Sequence, residues 1–248
     1  MRKFGLIGYP LSHSFSAKYF AEKFRKEGIT NARYDNYPLE NAADYAKLHE
    51  KDPDLHGLNV TIPHKKTIVK HMDALSEDAR EIGAVNTICF CRKTGKMVRV
   101  GHNTDVIGFR QSLEEQIDFT PEQALVLGTG GASEAVVYVL EKMGVKFFRV
   151  SSSGKDDALS YKDLSKDDVT KSKLIVNTTP LGMHPNVESF PDIPYDAVTD
   201  RHLLFDLVYN PAETVFMKKG MVQGAKVVNG YDMLVYQAEG SWAIWNRE

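Results

Sequence analysis

Residues 124–127 form a short apolar run of strand length, and Gly128-Thr129-Gly130-Gly131-Ala132-Ser133 follows without a spacer. The stretch after it carries Ala135, Val136, Val139 and Leu140 at helical spacing. A strand, a glycine turn and a helix in direct succession open a βαβ unit of a parallel sheet, and no other segment restricts the chain as strongly. The first glycine permits the tight turn. The second lets an anion approach the N–H groups at the helix start, and a small residue at the third site allows close packing. Ser133 holds that third site, where Gly or Ala is usual. Such turns also occur without a ligand. With both flanking elements in place, Gly128, Thr129, Gly130, Gly131 and Ala132 are read as a cradle for a dinucleotide pyrophosphate.

The end of the following strand bears on which dinucleotide. An NAD site usually has Asp or Glu there, about 20 residues on, to bond the ribose 2′-hydroxyl. This chain has Ser151-Ser152-Ser153-Gly154-Lys155 instead. No carboxylate repels a 2′-phosphate, and the serine hydroxyls and Lys155 can donate to one, so the chemistry leans to NADP, with NAD as the second choice. The same stretch also suits an ordinary loop.

With 248 residues, 42% of them hydrophobic, the chain can fill one large core or two modest ones. Lys and Arg number 31 and Asp and Glu 33, a formal charge of −2 with no long block of one sign. That pattern argues against nucleic acid or anionic lipid and leaves a small molecule as the expected partner. The opening ten residues hold only a short apolar run broken by Gly and Pro, so neither a signal peptide nor a membrane span is expected, and the cytoplasm is the expected location. Strand alternation would put Cys89 and Cys91 on one face as reduced, packed thiols. The eight histidines lack metal-ligand spacing, so no metal is expected. Monomer and homodimer are equally compatible with the sequence.

Strand-like runs alternate with amphipathic stretches throughout, which predicts an α/β fold with largely parallel sheets. A strand at 4–8 leads through a polar loop into a helix bearing Tyr19, Phe20 and Phe24. A second buried strand is expected at 58–62, stopped by Pro63, then helices over about 65–72 and 74–82, and a hairpin of about 84–91 and 97–101. Asn103-Thr104-Asp105 opens a helix that ends before Pro121. Later strands are expected near 147–150, 174–177, 203–207 and 226–228, and a last helix over 231–245. The expected division is 1–103 as an N-terminal α/β substrate domain and 104–230 as a Rossmann-like, doubly wound cofactor domain, separated by a cleft. Residues 231–248 would form a helix packing back on the first domain.

In the first domain, alternation points Asn59 and Thr61 to one face and Leu58, Val60 and Ile62 to the other. Lys65 and Lys66 then fall in an expected first helical turn, where the dipole disfavours the ammonium form. A lysine so placed can exchange a proton with a hydroxyl that becomes a carbonyl. Asp105, at another helix start, is its candidate partner, although a carboxylate would favour the charged lysine. Asp105 or Thr104 serves equally as an N-cap, and Lys65 as surface charge. Ser14 and Ser16 can receive a carboxylate, while Ser16 also suits an N-cap.

Taken together, Ser14-Phe15-Ser16, Asn59-Val60-Thr61-Ile62-Pro63-His64-Lys65-Lys66, Gly83-Ala84-Val85-Asn86-Thr87 and Asn103-Thr104-Asp105 resemble the substrate-domain motifs of the shikimate dehydrogenase family, and the likeness runs in order from Gly8 to Gln237. The resemblance implies reversible NADPH-dependent reduction of 3-dehydroshikimate to shikimate, in aromatic amino acid biosynthesis, without metal. It implies that Ser14 and Ser16 hold the shikimate carboxylate, and that Asn59, Thr61, Asn86, Asp105 and Gln237 surround the ring hydroxyls. Lys65 with Asp105 would carry the proton. Asn177-Thr178-Thr179-Pro180-Leu181-Gly182-Met183 is similar to the segment near the nicotinamide, and Asp206-Leu207-Val208-Tyr209 to the segment that brings a tyrosine to the substrate. Thr178, Leu207 and Gly230 are thereby cofactor contacts, and Tyr209 a substrate contact.

One departure concerns the cofactor. Where NADP-using members commonly carry Arg, this chain has Ser152, and the next cation is Lys155, a point charge rather than a planar fork. Looser discrimination against NAD is therefore expected. Two rival readings are a quinate/shikimate dehydrogenase using NAD, against which the missing acid speaks, and a non-catalytic dinucleotide-binding sensor on the same fold.

Overall fold

The computed structural model describes all residues except Ser12, His13, Thr94, Gly95, Phe119, Lys155, Asp156 and Glu248. The chain divides into two compact units, Met1–Thr104 with Ala238–Glu248, and Asp105–Gln237. Among the described residues no helix is long and apolar enough to cross a membrane.

The first unit contains β1 (Arg2–Gly8), α1 (Phe15–Lys26), β2 (Ala32–Pro38), α2 (Tyr45–Lys51), β3 (Leu55–Val60), β4 (Ala74–Leu75), α3 (Glu77–Ile82), β5 (Thr87–Lys93) and β6 (Lys96–His102). They form one sheet in the order β2-β1-β3-β5-β6-β4. β1 runs parallel to β2 and β3, while β5 is antiparallel to β3 and β6. Alternation along β5 sends Ile88 and Phe90 to one core, with Ile7, Leu58 and Val60, and Cys89 and Cys91 to the other, with Phe4, Leu6, Phe20 and Trp245. Both thiols are buried on one face, as alternation predicts. Trp245 fits because Gly57 has no side chain: a Cβ there would stand 2.1 Å from the indole Nε1. The indole stacks on Phe4 at 4.8 Å and donates Nε1–H to the Ile88 carbonyl at 3.0 Å.

Several expected elements differ. Residues 65–72 are not an α-helix: turns lead into a 3-10 helix, Val69–His71. The β-branched run Thr67-Ile68-Val69 disfavours a helix, and the Lys65 carbonyl accepts the distant Val85 N–H at 2.8 Å, where a helix would need it for residue 69. The helix expected over 74–82 is a short strand, β4, followed by α3. Ile62 lies beyond the end of β3 and is 72% exposed, so it does not share the buried face of Leu58 and Val60. β2 is the edge strand that its charged, Pro-ended sequence conceals.

The second unit contains α4 (Asp105–Glu114), β7 (Gln123–Leu127), α5 (Gly131–Lys142), β8 (Lys146–Ser151), β9 (Leu159–Ser160), α6 (Lys166–Lys171), β10 (Leu174–Asn177), β11 (Leu203–Asp206), α7 (Val215–Val222) and β12 (Lys226–Val228), and α8 (Tyr231–Arg247) begins in it. The sheet order is β12-β11-β10-β7-β8-β9, every pairing parallel. This is a doubly wound order whose direction reverses between β7 and β10. Ligands bind outside the strand carboxyl ends at such a reversal.

A buried carboxylate secures those carboxyl ends. Asp206, fully buried at the end of β11, accepts hydrogen bonds from Asn177 Nδ2 (2.9 Å), the Val208 N–H (3.0 Å) and the Thr214 hydroxyl (2.6 Å). Burial still prevails over these donors and pushes its carboxyl up to about 6. The folded protein therefore holds this proton more tightly than the unfolded chain, and Asp206 costs stability as pH rises from about 4 through about 6. The expected outcome for Asp206→Asn is that the wild type loses up to about 3 kcal/mol relative to the variant over that interval. Denaturant unfolding at stepped pH measures this, and parallel profiles for the two proteins would refute it.

Candidate active site

Three segments of the first unit that carry the sequence-predicted residues are drawn together by hydrogen bonds. The Lys65 carbonyl accepts the Val85 N–H, and the Val60 N–H donates to the Asn86 carbonyl at 2.8 Å. Asn86 Oδ1 accepts the Thr104 N–H at 2.7 Å, which fixes the chain at the residue before Asp105, and Asn103 Nδ2 donates to the Ala84 carbonyl at 3.0 Å. Asn59, Asn86 and Asp105 are buried, Thr61 and Lys65 half-buried. Lys65 lies in a turn and not in the first turn of a helix, where the sequence places it.

Ser14, not Ser16, is the N-cap of α1, accepting the Ala17 N–H at 3.3 Å. An N-cap serine uses its oxygen, so its proton remains for an acceptor such as a carboxylate. Ser16 lies in the first turn of α1, and burial is the chief cause that weakens the acidity of the Tyr34 phenol, with the Ser16 hydroxyl acting in the opposite sense. Tyr34 in turn donates to Asn59 Oδ1 at 2.9 Å. Sequence reasoning missed Tyr34, Thr87, Thr104 and Ser241, all buried around Asn59 and Asn86. Thr87 and Thr104 stand within the motifs quoted above, and Ser241 carries a weaker signal, a small polar residue amid the apolar positions of the last helix.

In the second unit the glycine loop joins β7 to α5 at the sheet reversal. Gly128 has φ +115°, a conformation that side chains avoid, and a Cβ there would meet Thr178 Oγ1 at 2.7 Å. Its N–H donates to the Val150 carbonyl at 2.7 Å. Gly130 caps α5 with open space around its α-carbon, and Gly131 and Ala132 form the first turn with partial exposure, as Thr129 has before them. The departure at Ser133 is accommodated: it is fully buried, and its hydroxyl donates to the Gly128 carbonyl at 2.9 Å. Backbone donors at an open helix start fit a dinucleotide pyrophosphate.

Around that loop, Thr178 donates its N–H (2.9 Å) and hydroxyl (2.7 Å) to the Leu127 carbonyl, at the point where β10 and β7 diverge. The Leu207 N–H donates to the Asn177 carbonyl at 3.0 Å, and the Gly230 N–H to the Val208 carbonyl at 3.2 Å. Tyr209 is half-buried, and burial makes its hydroxyl less acidic. The buried Gln237 donates an amide hydrogen from Nε2 to the Leu234 carbonyl at 2.9 Å. At the end of β8, Ser151 accepts the Gly154 N–H at 3.1 Å, while Ser152 and Ser153 are exposed. Lys155 lies outside the described residues. Two residues before Ser151, Arg149 pairs with Glu134 of α5 at 2.7 Å.

A family profile described as shikimate dehydrogenase substrate binding domain matches residues 6–88. A shikimate dehydrogenase (NADP(+)) of Methanococcus maripaludis strain C7 is 37% identical, over 97% of this chain and 90% of that protein. Among solved structures, shikimate dehydrogenase from Aquifex aeolicus is 34% identical with a TM-score of 0.86, covering 100% of this chain and 93% of that one. The shikimate 5-dehydrogenase from Thermus thermophilus, solved in complex with NADP(H) and shikimate, is 27% identical with a TM-score of 0.87, covering 100% of this chain and 94% of that one. Identity at this level over nearly the whole length, with the motif segments joined as described, establishes that the chain belongs to the shikimate dehydrogenase family.

Proposed function

We infer that this protein is an NADP-dependent oxidoreductase that interconverts shikimate and 3-dehydroshikimate, working in the cytoplasm. The observation that carries the reading is the joining of the 59–65, 83–87 and 103–104 segments in one unit of a chain whose other unit is a doubly wound sheet with a glycine loop at its reversal.

In this reading Met1–Thr104 binds substrate and Asp105–Gln237 binds cofactor. The Ser14 and Ser16 hydroxyls receive the substrate carboxylate, and Asn59, Thr61, Asn86, Asp105, Tyr209 and Gln237 meet the rest of the molecule. In oxidation, Lys65 accepts the proton of the C3 hydroxyl as the C–O bond becomes a carbonyl, and in reduction it returns that proton; Asp105 orients the ammonium. NADP, held at Gly128 to Ala132, would supply the hydride acceptor, so that one proton and one hydride leave the alcohol together. Gly128 to Ala132 hold the pyrophosphate, Ser151, Ser152, Ser153 and Lys155 the 2′-phosphate, and Thr178, Leu207 and Gly230 the nicotinamide half. Holding the reacting groups in contact accounts for much of the acceleration.

The test is the appearance of reduced nicotinamide absorbance when purified protein meets shikimate with NADP or with NAD, and quinate in parallel. Shikimate with NADP is expected to react, and Lys65→Ala to lose about 10²- to 10⁴-fold in kcat. NAD is expected to serve less well but measurably, since a serine stands where an arginine clamp is usual. Silence with every pair would favour a sensor, preference for quinate with NAD the quinate enzyme, and a very large NADP preference would contradict the expectation for Ser152.

A further inference from the structure

Asn59 and Asn86 are joined by a closed set of buried side chains from segments far apart in sequence. Asn59 Nδ2 donates within reach of Ser241 Oγ (2.8 Å), Thr87 Oγ1 (3.1 Å) and the Asn86 carbonyl (3.3 Å). Thr87 donates to Asn86 Oδ1 at 3.0 Å, and Thr104 reaches the same oxygen with its N–H (2.7 Å) and its hydroxyl (3.2 Å). Ser241 Oγ lies 2.8 Å from Thr87 Oγ1 and 3.2 Å from Thr104 Oγ1, so it touches every branch. Thr87, Thr104 and Ser241 have no exposed surface.

Main-chain groups fix which way both amides face. A backbone N–H only donates, so the atom of Asn86 that meets Thr104 N–H is its oxygen; a backbone carbonyl only accepts, so the atom of Asn59 that meets Asn86 O is its nitrogen. The nitrogen of Asn59 and the oxygen of Asn86 are thus committed to the network. A substrate group that meets Asn59 finds an acceptor, the second lone pair of an oxygen that also takes the Tyr34 hydroxyl, and one that meets Asn86 finds a donor. We propose that Ser241, through its bonds to Asn59 and Thr87, is a positioning residue that holds both amides, in the polarity the main chain imposes, where they recognise the substrate's ring hydroxyls. The inference rests on the functional reading above, since it assigns Asn59 and Asn86 to the substrate.

Steady-state kinetics of the wild type, Ser241→Ala, Asn59→Ala and the double variant, with shikimate and NADP each varied, test it. Activity in the wild type secures the underlying reading, and its absence would overturn that reading first. Ser241→Ala is expected to raise KM for shikimate about tenfold, because the Asn59 amide loses the nearest of its three acceptors and shifts towards the other two, with kcat falling less and KM for NADP unchanged. In the Asn59→Ala background the same change should have a smaller effect, the part that reaches Asn86 through Thr87. Thr87→Val, which keeps shape and removes a hydroxyl, should show the same split, and it decides the question by the same criterion if Ser241→Ala does not fold. A lowered melting temperature with unchanged KM for shikimate, an equal rise in KM for NADP, or additive effects in the double variant would each overturn the proposal.

Discussion

The Asn59 carboxamide is held at both ends by buried groups, Tyr34 on one lone pair of its oxygen and Ser241, Thr87 and the Asn86 carbonyl on its nitrogen. Each buried polar atom left without a partner costs about 1–3 kcal/mol, so β2, β3, the 86–87 segment at the start of β5 and α8 must all be in register for any one of them to be satisfied. That requirement makes the first unit more than a sheet with a hydrophobic core on each face. The apolar cores fix the strands to within a side chain's play, and the polar set then fixes the orientation of amides that dispersion alone would leave free to flip.

The second unit solves a similar problem with a carboxylate. At a parallel sheet's reversal the carboxyl-end loops diverge, which opens the place where a ligand sits but leaves loop backbone without neighbours. Asp206 gathers Asn177, Val208 and Thr214, so the loop carrying Thr178 and the loop carrying Leu207 and Tyr209 leave the sheet from one buried anchor. Its three donors reduce the desolvation cost without cancelling it, which is why its carboxyl titrates near 6. The stability so lost holds the backbone of two loops proposed above to meet the nicotinamide half and the substrate, a local cost of the kind borne at functional places.

What the sequence revealed follows from the range of the signals involved. The β7–loop–α5 unit was legible because a strand-length apolar run, a glycine turn and a period of 3.6 follow one another locally. The buried strands of the parallel sheet were legible because both faces are covered and the runs are continuously apolar. The 65–72 segment was misread as helix because the capture of the Lys65 carbonyl by Val85 is a tertiary event that no window over the segment contains. β2 was hidden by the polar composition that an edge strand tolerates. The N-cap alternative for Ser16 falls because the cap lies two residues earlier, at Ser14, while Ser241 could not be tied to Asn59 across 182 positions by any local pattern.

The proposed reaction is direct hydride transfer from the alcohol carbon, with the proton handled by Lys65. Its test is shikimate carrying deuterium at C3, incubated with the enzyme and NADP, with the reduced cofactor then examined by proton NMR. Deuterium is expected at C4 of the reduced nicotinamide, with none released to water. Deuterium in the solvent, or an unlabelled reduced cofactor beside oxidised product, would contradict it.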